Sequence, residues 1–113
     1  MQLEIQLRDA EGVTCLDLTG KILLGEETDA LRAQVKKIIE DRKKKILLNL
    51  NGVTYLDSTG VGTVVEAFLS VKKAGGKMAL LIPAGPADKV TRVFGPLAEA
   101  SFRSEQEALA SLR

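Results

Sequence analysis

Apolar and polar residues alternate at the start of the chain, where Leu3, Ile5 and Leu7 are interleaved with Gln2, Glu4, Gln6 and Arg8. That period of two predicts a half-buried β-strand. Asp9-Ala10-Glu11-Gly12 reads as a turn, and Val13 to Thr19 as a second strand with apolar residues on both faces. Together they predict an N-terminal hairpin, with Gly20 ending it and Lys21 to Gly25 as a connection. From Glu26 to about Arg42 the period becomes helical, because Leu31, Val35, Ile38 and Ile39 fall on one face. Glu26, Glu27 and Asp29 open that helix and Lys36, Lys37, Arg42 and Lys43 close it, which complements the helix dipole at both ends.

The second half repeats the alternation of strand and helix. Ile46 to Leu50 is apolar enough to predict a strand buried on both faces, as at the centre of a sheet covered by helices. A short turn is expected next, then a helix from Ser58 to about Ala74 with Val61, Val64, Val65, Phe68 and Val71 inward, terminated by Gly75-Gly76. Met78 to Ile82 predicts another buried strand, and Pro83 to Pro86 a loop. Ala87, Val90, Val93 and Phe94 suggest a short helix closed by Gly95-Pro96. Ser104-Glu105-Gln106-Glu107 fits a capping box, and Ala108, Leu109 and Leu112 form the apolar side of a last helix. The sum is an α/β chain, read as one domain over residues 1–113. Its sheet is expected to be mixed and mostly parallel, with roughly four or five strands and about four covering helices.

Composition narrows the chemistry. The chain has 113 residues, 45% hydrophobic and 27% charged, as in an ordinary globular domain with a sizeable core. A net charge of +1 points to neither nucleic acid nor an anionic membrane as partner. Arg42-Lys43-Lys44-Lys45 carries no interleaved aromatic residue and reads as a solvated helix end. Cys15 is the single cysteine, which excludes an internal disulfide or thiolate cluster and fits a small buried hydrophobe. No histidine is present, so the commonest general base and metal ligand are missing. The N-terminal pattern is unlike a signal peptide, and no apolar run approaches the ~18 residues of a membrane helix. The expected compartment is therefore the cytoplasm.

The most informative stretch is Ile46-Leu47-Leu48-Asn49-Leu50 running on to Tyr55-Leu56-Asp57-Ser58-Thr59-Gly60-Val61-Gly62. It places a serine at the start of a helix that follows a strand, where functional groups collect in sheets of this kind. Such a hydroxyl can cap the helix, act as a nucleophile, or receive a phosphate. A nucleophile elbow would need a glycine where Leu56 stands and a base that the chain lacks. Gly60-Val61-Gly62 has Val65 where a dinucleotide loop has its third glycine, and Gly76-Lys77 is followed by Met78 rather than Ser or Thr. Neither nucleotide fingerprint survives. Capping by Ser58 or Thr59 stands as the plain alternative, worth about 1 kcal/mol. Two glycines in one opening turn each cost a helix about 1 kcal/mol relative to alanine, and they leave the backbone bare for something to approach.

This run resembles the signature of STAS domains, and among them it most resembles the bacterial anti-sigma factor antagonists. The resemblance extends from Leu3 to Leu112 and includes Leu18-Thr19-Gly20 at the hairpin end and the Gly75-Gly76 break. It implies that Ser58 is a phosphoacceptor and that Asp57, Ser58, Thr59, Gly60, Val61 and Gly62 meet a partner. The implied partner is an anti-sigma factor that is itself a serine kinase with a histidine-kinase-like ATPase fold. A separate metal-dependent phosphatase removes the phosphate, and the unphosphorylated form captures the anti-sigma factor and frees the sigma factor. The chain itself is then expected to be no enzyme and to carry no cofactor or metal. Two positions depart from the family pattern: Leu23 stands where an acidic residue is frequent, and Val61 replaces the usual leucine. Related domains also serve as accessory subunits of lipid-transport complexes, as transporter tails and in stress-signalling scaffolds. A ligand-sensing module at the same helix start is a further alternative.

Overall fold

A computed structural model describes residues 1–82 and 86–113. The loop expected from Pro83 falls largely on residues 83–85, outside the described residues. The strands are β1 (Leu3–Ala10), β2 (Val13–Ile22), β3 (Lys45–Leu56), β4 (Lys77–Leu81) and β5 (Ser101–Phe102). The helices are α1 (Glu26–Glu40), α2 (Ser58–Lys73), α3 (Val90–Val93), α4 (Gly95–Glu99) and α5 (Glu105–Ser111), with a 3-10 turn at Pro86–Lys89. The strands form one sheet in the order β1-β2-β3-β4-β5. β1 and β2 are antiparallel, and β2-β3, β3-β4 and β4-β5 are parallel. This is the mixed, mostly parallel sheet that the pattern predicts.

The hairpin turn is tighter than Asp9–Gly12. Strand pairing continues to Ala10 opposite Val13, and Glu11 and Gly12 take φ of 53° and 80°. Positive φ at both central residues suits the twist of the flanking strands. Asp9 Oδ1 accepts the Gly12 N–H at 3.2 Å and steadies the turn.

The apolar run of β3 supplies two cores in alternation, as the period of a strand requires. Ile46, Leu48 and Leu50 face α1, α2 and the 86–97 segment, together with Leu16, Leu18, Leu31, Val64, Val71, Leu80, Val90 and Leu97. Leu47 faces the other side, where α5 lies, with Val13, Cys15, Ala79, Leu81, Ala108, Leu109 and Leu112. Cys15 is fully buried there, as its sequence context predicts.

Several boundaries differ from the expectation. Gly20 does not end the second strand. It lies within β2 at φ 109°, opposite Leu3 and Val53, and β2 continues to Ile22. A Cβ on Gly20 would lie 2.1 Å from the Gln2 carbonyl oxygen, so this glycine serves a close strand approach. β3 likewise does not stop at Leu50. It runs through Asn51-Gly52 to Leu56, and its pairing with β2 shifts register between Asp17 and Thr19 and again between Gly20 and Lys21. Gly95-Pro96 opens α4 rather than only closing the helix before it, because proline suits a first turn. Val93, read as part of an apolar helix face, is 63% exposed. α1 stops at Glu40, and Arg42 leaves the helix at φ 60°. The Ser104 cap is present, with its hydroxyl oxygen accepting the Glu107 N–H at 3.2 Å.

Candidate functional site

β2 and β3 end side by side, with Ile22 paired to Leu56, both fully buried. The next residue, Asp57, has extended backbone (φ −84°, ψ −178°) and turns the chain into α2. Its main-chain N–H donates to the Ile22 carbonyl at 3.3 Å, and its carbonyl accepts the Val61 N–H at 3.0 Å. One carboxylate oxygen accepts the Gly60 N–H at 2.7 Å. The other accepts the Leu24 N–H at 2.8 Å, from the connection after β2. Asp57 therefore caps α2, and neither Ser58 nor Thr59 does. Aspartate is among the strongest N-caps, so the alternative that assigned the cap to the hydroxyls is corrected.

The N–H of Leu24 and then that of Gly60 hold the Asp57 carboxyl below the usual carboxylate range, with smaller help from the Thr59 N–H and the Lys89 charge. Asp57 is thus a fixed anion at the head of α2. Lys89, from the 3-10 turn, donates to the Leu56 carbonyl and stands 4.9 Å from the centre of the Tyr55 ring. Behind the cap, buried Glu27 accepts the Gln2 N–H at 2.6 Å, and that bond with its own backbone N–H lowers its pKa. Asp57 is close enough to oppose this shift. The position of Leu23 stays apolar, and the buried Glu27 carboxylate lies behind the cap.

Ser58 is the first residue of α2 and is exposed. The capping bonds run through Asp57, which leaves the Ser58 hydroxyl outside them. Thr59 is half-buried, and its carbonyl accepts the Thr63 hydroxyl at 2.7 Å. Val61 points into the core at 6% exposure.

The two glycines have different duties. A Cβ on Gly60 would lie 2.2 Å from the Ile22 carbonyl oxygen, so what approaches this glycine is the protein's own β2. The expectation that both glycines bare the backbone for a visitor is corrected at that position. Gly62 is exposed, and a Cβ there would meet nothing within 4 Å.

Leu24 is 71% and Tyr55 49% exposed, and each lies next to the Asp57 cap in the chain or through its hydrogen bonds. Sequence reading missed these two and Lys89. In the sequence Leu24 reads only as part of the connection after β2 and Tyr55 only as part of the run before Asp57, and Lys89 joins the site only through the fold. Among the described residues, no group of three or more His, Cys, Asp or Glu side chains is placed to hold a metal ion. Among the same residues, no helix is long and apolar enough to cross a membrane.

An anti-sigma F factor antagonist of Paenibacillus polymyxa is 30% identical to this chain over 81 residues, which cover 71% of this chain and 68% of that protein. The structure of an anti-sigma factor antagonist from Mycobacterium paratuberculosis matches with a TM-score of 0.82 at 17% identity, over 98% of this chain and 94% of that one. The Bacillus cell fate determinant SpoIIAA in its phosphorylated form matches with a TM-score of 0.76 at 23% identity, over 97% of this chain and 100% of that one. At these identities the two structures speak for the fold. The model of the STAS domain family matches residues 4–108, so the hairpin, the parallel strands and the Asp57-capped helix lie within one match, and the chain belongs to the STAS domain family.

Proposed function

We propose that this protein is an anti-sigma factor antagonist, a single-domain binding switch without catalytic activity that works in the cytoplasm. Its unphosphorylated form binds an anti-sigma factor that is also a serine kinase, and so releases a sigma factor. Phosphorylation of Ser58 ends the binding, and a phosphatase acting on phospho-Ser58 restores it. The observation that carries this reading is the division of labour at the head of α2: Asp57 caps the helix while Ser58 is exposed beside it. The surface offered to the partner comprises Asp57, Ser58, Thr59 and Gly62 with Leu24 and Tyr55, an anion and a hydroxyl flanked by exposed apolar groups, while Gly60 and Val61, expected from the sequence to meet the partner too, are buried behind it.

Charge explains how such a switch works without refolding. A phosphate adds about −1.5 to −2 charges. At a helix N-terminus it meets free N–H groups and a favourable dipole, worth about 0.3–1 kcal/mol. In the docked complex it would meet the phosphates of the kinase's nucleotide, and like charges brought together in an interface cost several kcal/mol. About 3 kcal/mol weakens binding more than a hundredfold. The interface cost exceeds the local gain, so the fold tolerates the phosphate and the complex does not.

Incubation with the cognate anti-sigma kinase and ATP, followed by peptide mass mapping, tests the site. The phosphate is expected on the Ser58 peptide and absent from Ser58→Ala. Ser58→Ala should stay bound to the kinase, while Ser58→Asp should bind about a hundredfold more weakly with an unchanged circular dichroism spectrum. Equal binding of both variants, or modification elsewhere, overturns the proposal.

A further inference from the structure

β1 is an edge strand of the sheet, and the opposite edge, β5, is only two residues long. In an antiparallel pair, alternate residues direct their N–H and C=O groups to the partner strand, and the residues between them direct theirs away. The Lys21 N–H donates to the Gln2 carbonyl at 2.9 Å, and the tight turn closes on Ala10 opposite Val13. Even-numbered residues of β1 therefore bond to β2. Leu3, Ile5, Leu7 and Asp9 turn their backbone groups outward along the free edge. On the same face of the strand Leu7 is 50% exposed, and Ile5 is partly buried against the core.

The geometry points to a second copy of this chain as the occupant of that edge, added antiparallel through β1 with a two-fold axis at Gln6. The register follows from the groups to be satisfied. Only a centre at Gln6 sets every outward residue of β1 against another: Leu3 against Asp9 and Ile5 against Leu7, each twice. The same register sets Ile5 of one copy beside the exposed Leu7 of the other, the kind of cross-strand pair that stabilises a sheet. It also sets Glu4 opposite Arg8. A centre at Glu4 would oppose two carboxylates and a centre at Arg8 two guanidinium groups, while a centre at Leu7 would set Leu3 opposite Glu11, beyond the end of the partner's strand. Arg8 is already held by Asp17 and Glu105, so Glu4 gains no ion pair there, and the register rests on the backbone groups and the Ile5–Leu7 pairs.

The product is one continuous sheet through two copies. The two Asp57 caps lie at opposite ends of it, because the chain direction reverses across the axis. A single strand edge buries less than the ~1,200 Å² of a stable interface, so the dimer is of the weak, concentration-dependent class.

Sedimentation equilibrium from about 0.01 to 1 mM protein tests the association. The mass should rise about twofold across the range, and Leu7→Lys, an exposed edge charge, should stay monomeric with an unchanged melting curve. Cysteine cross-linking tests the register, with buried Cys15 in the parent as control. At Gln6 the paired Cα atoms would be about 4.5 Å apart, within disulfide reach. At Glu4 the two copies would be offset by about four residues, roughly 13 Å along the strand. Gln6→Cys should therefore oxidise to a dimer at least ~10-fold faster than Glu4→Cys. A monomer at every concentration, or equal cross-linking at the two positions, overturns the proposal.

Discussion

Two aspartates end up in opposite situations on the two sides of this molecule. Asp57, at the head of α2, is satisfied by backbone N–H groups, those of Leu24 and Gly60. Asp17, in the middle of β2, is satisfied by side chains. It takes the Arg8 Nε–H at 2.6 Å and the Asn49 amide at 2.9 Å, and Arg8 goes on to Glu105 of α5. Both carboxyls are held below their usual range, Asp57 chiefly by the Leu24 N–H and Asp17 chiefly by Arg8. The difference lies in what remains available. Around Asp17 the side chains are consumed by one another and tie α5 to the hairpin. Around Asp57 the backbone supplies the bonds, so Ser58, Leu24 and Tyr55 keep their side chains on the surface. A charge settled by main-chain donors leaves a surface that can still bind something.

The sharpest way to break the Asp57 arrangement is Gly60→Ala. The added Cβ meets the Ile22 carbonyl oxygen, a backbone atom that cannot swing aside. We expect a loss of about 3 kcal/mol, read from the denaturant midpoint. On the other side, Arg8→Met leaves Asp17 and Glu105 without their cation. The group is partly exposed, so about 1 kcal/mol is expected, shrinking as salt is added to the wild type. Gly62→Ala should act in the opposite sense to its neighbour. The space around it is open, and alanine should stabilise α2 by about 0.5–1 kcal/mol. If Gly62 meets the docking partner, that variant melts later and yet binds the anti-sigma factor less well.

The smallest effect is in acid. Both aspartates have folded pKa values below the unfolded value of about 3.9, so their stabilisation is complete above it and is lost as pH falls through the folded values. Stability should decline below about pH 5. Arg8→Met should flatten the part of that decline due to Asp17 and Asp57→Asn the part due to Asp57, with the share of Glu27 left in both. A decline unchanged in both variants would refute the shared cause.

Much of this arrangement was legible in the chain. The alternation of Leu3, Ile5 and Leu7, the helical face of Leu31, Val35 and Ile38, and the continuous Ile46–Leu50 run each encode burial, and burial has a period. The helix start at Ser58 followed from the same logic. What escaped was set by neighbours in space. Asn51-Gly52 has the composition of a turn, yet the strand runs through it, with Gly52 paired to Thr19 of β2 just past a register shift. A Cβ on Gly52 would lie 2.9 Å from the Leu18 carbonyl oxygen, so its glycine fits a tight strand approach near the register shift. Gly20 is read as a stop for the same reason. The cap belonged to Asp57 because the Leu24 N–H reaches it from 33 positions earlier in the chain, a distance no local pattern spans. Lys89 reached Leu56 across a similar gap.

The contact between Gly60 and the Ile22 carbonyl has one more implication. It seats the opening turn of α2 on the sheet at a spot where not even a methyl group fits, and the Asp57 N–H bonded to the same carbonyl ties the turn there. Whatever visits the Ser58 hydroxyl finds a fixed post, and a message written there is legible from the colour of the flag and not from the angle of the mast.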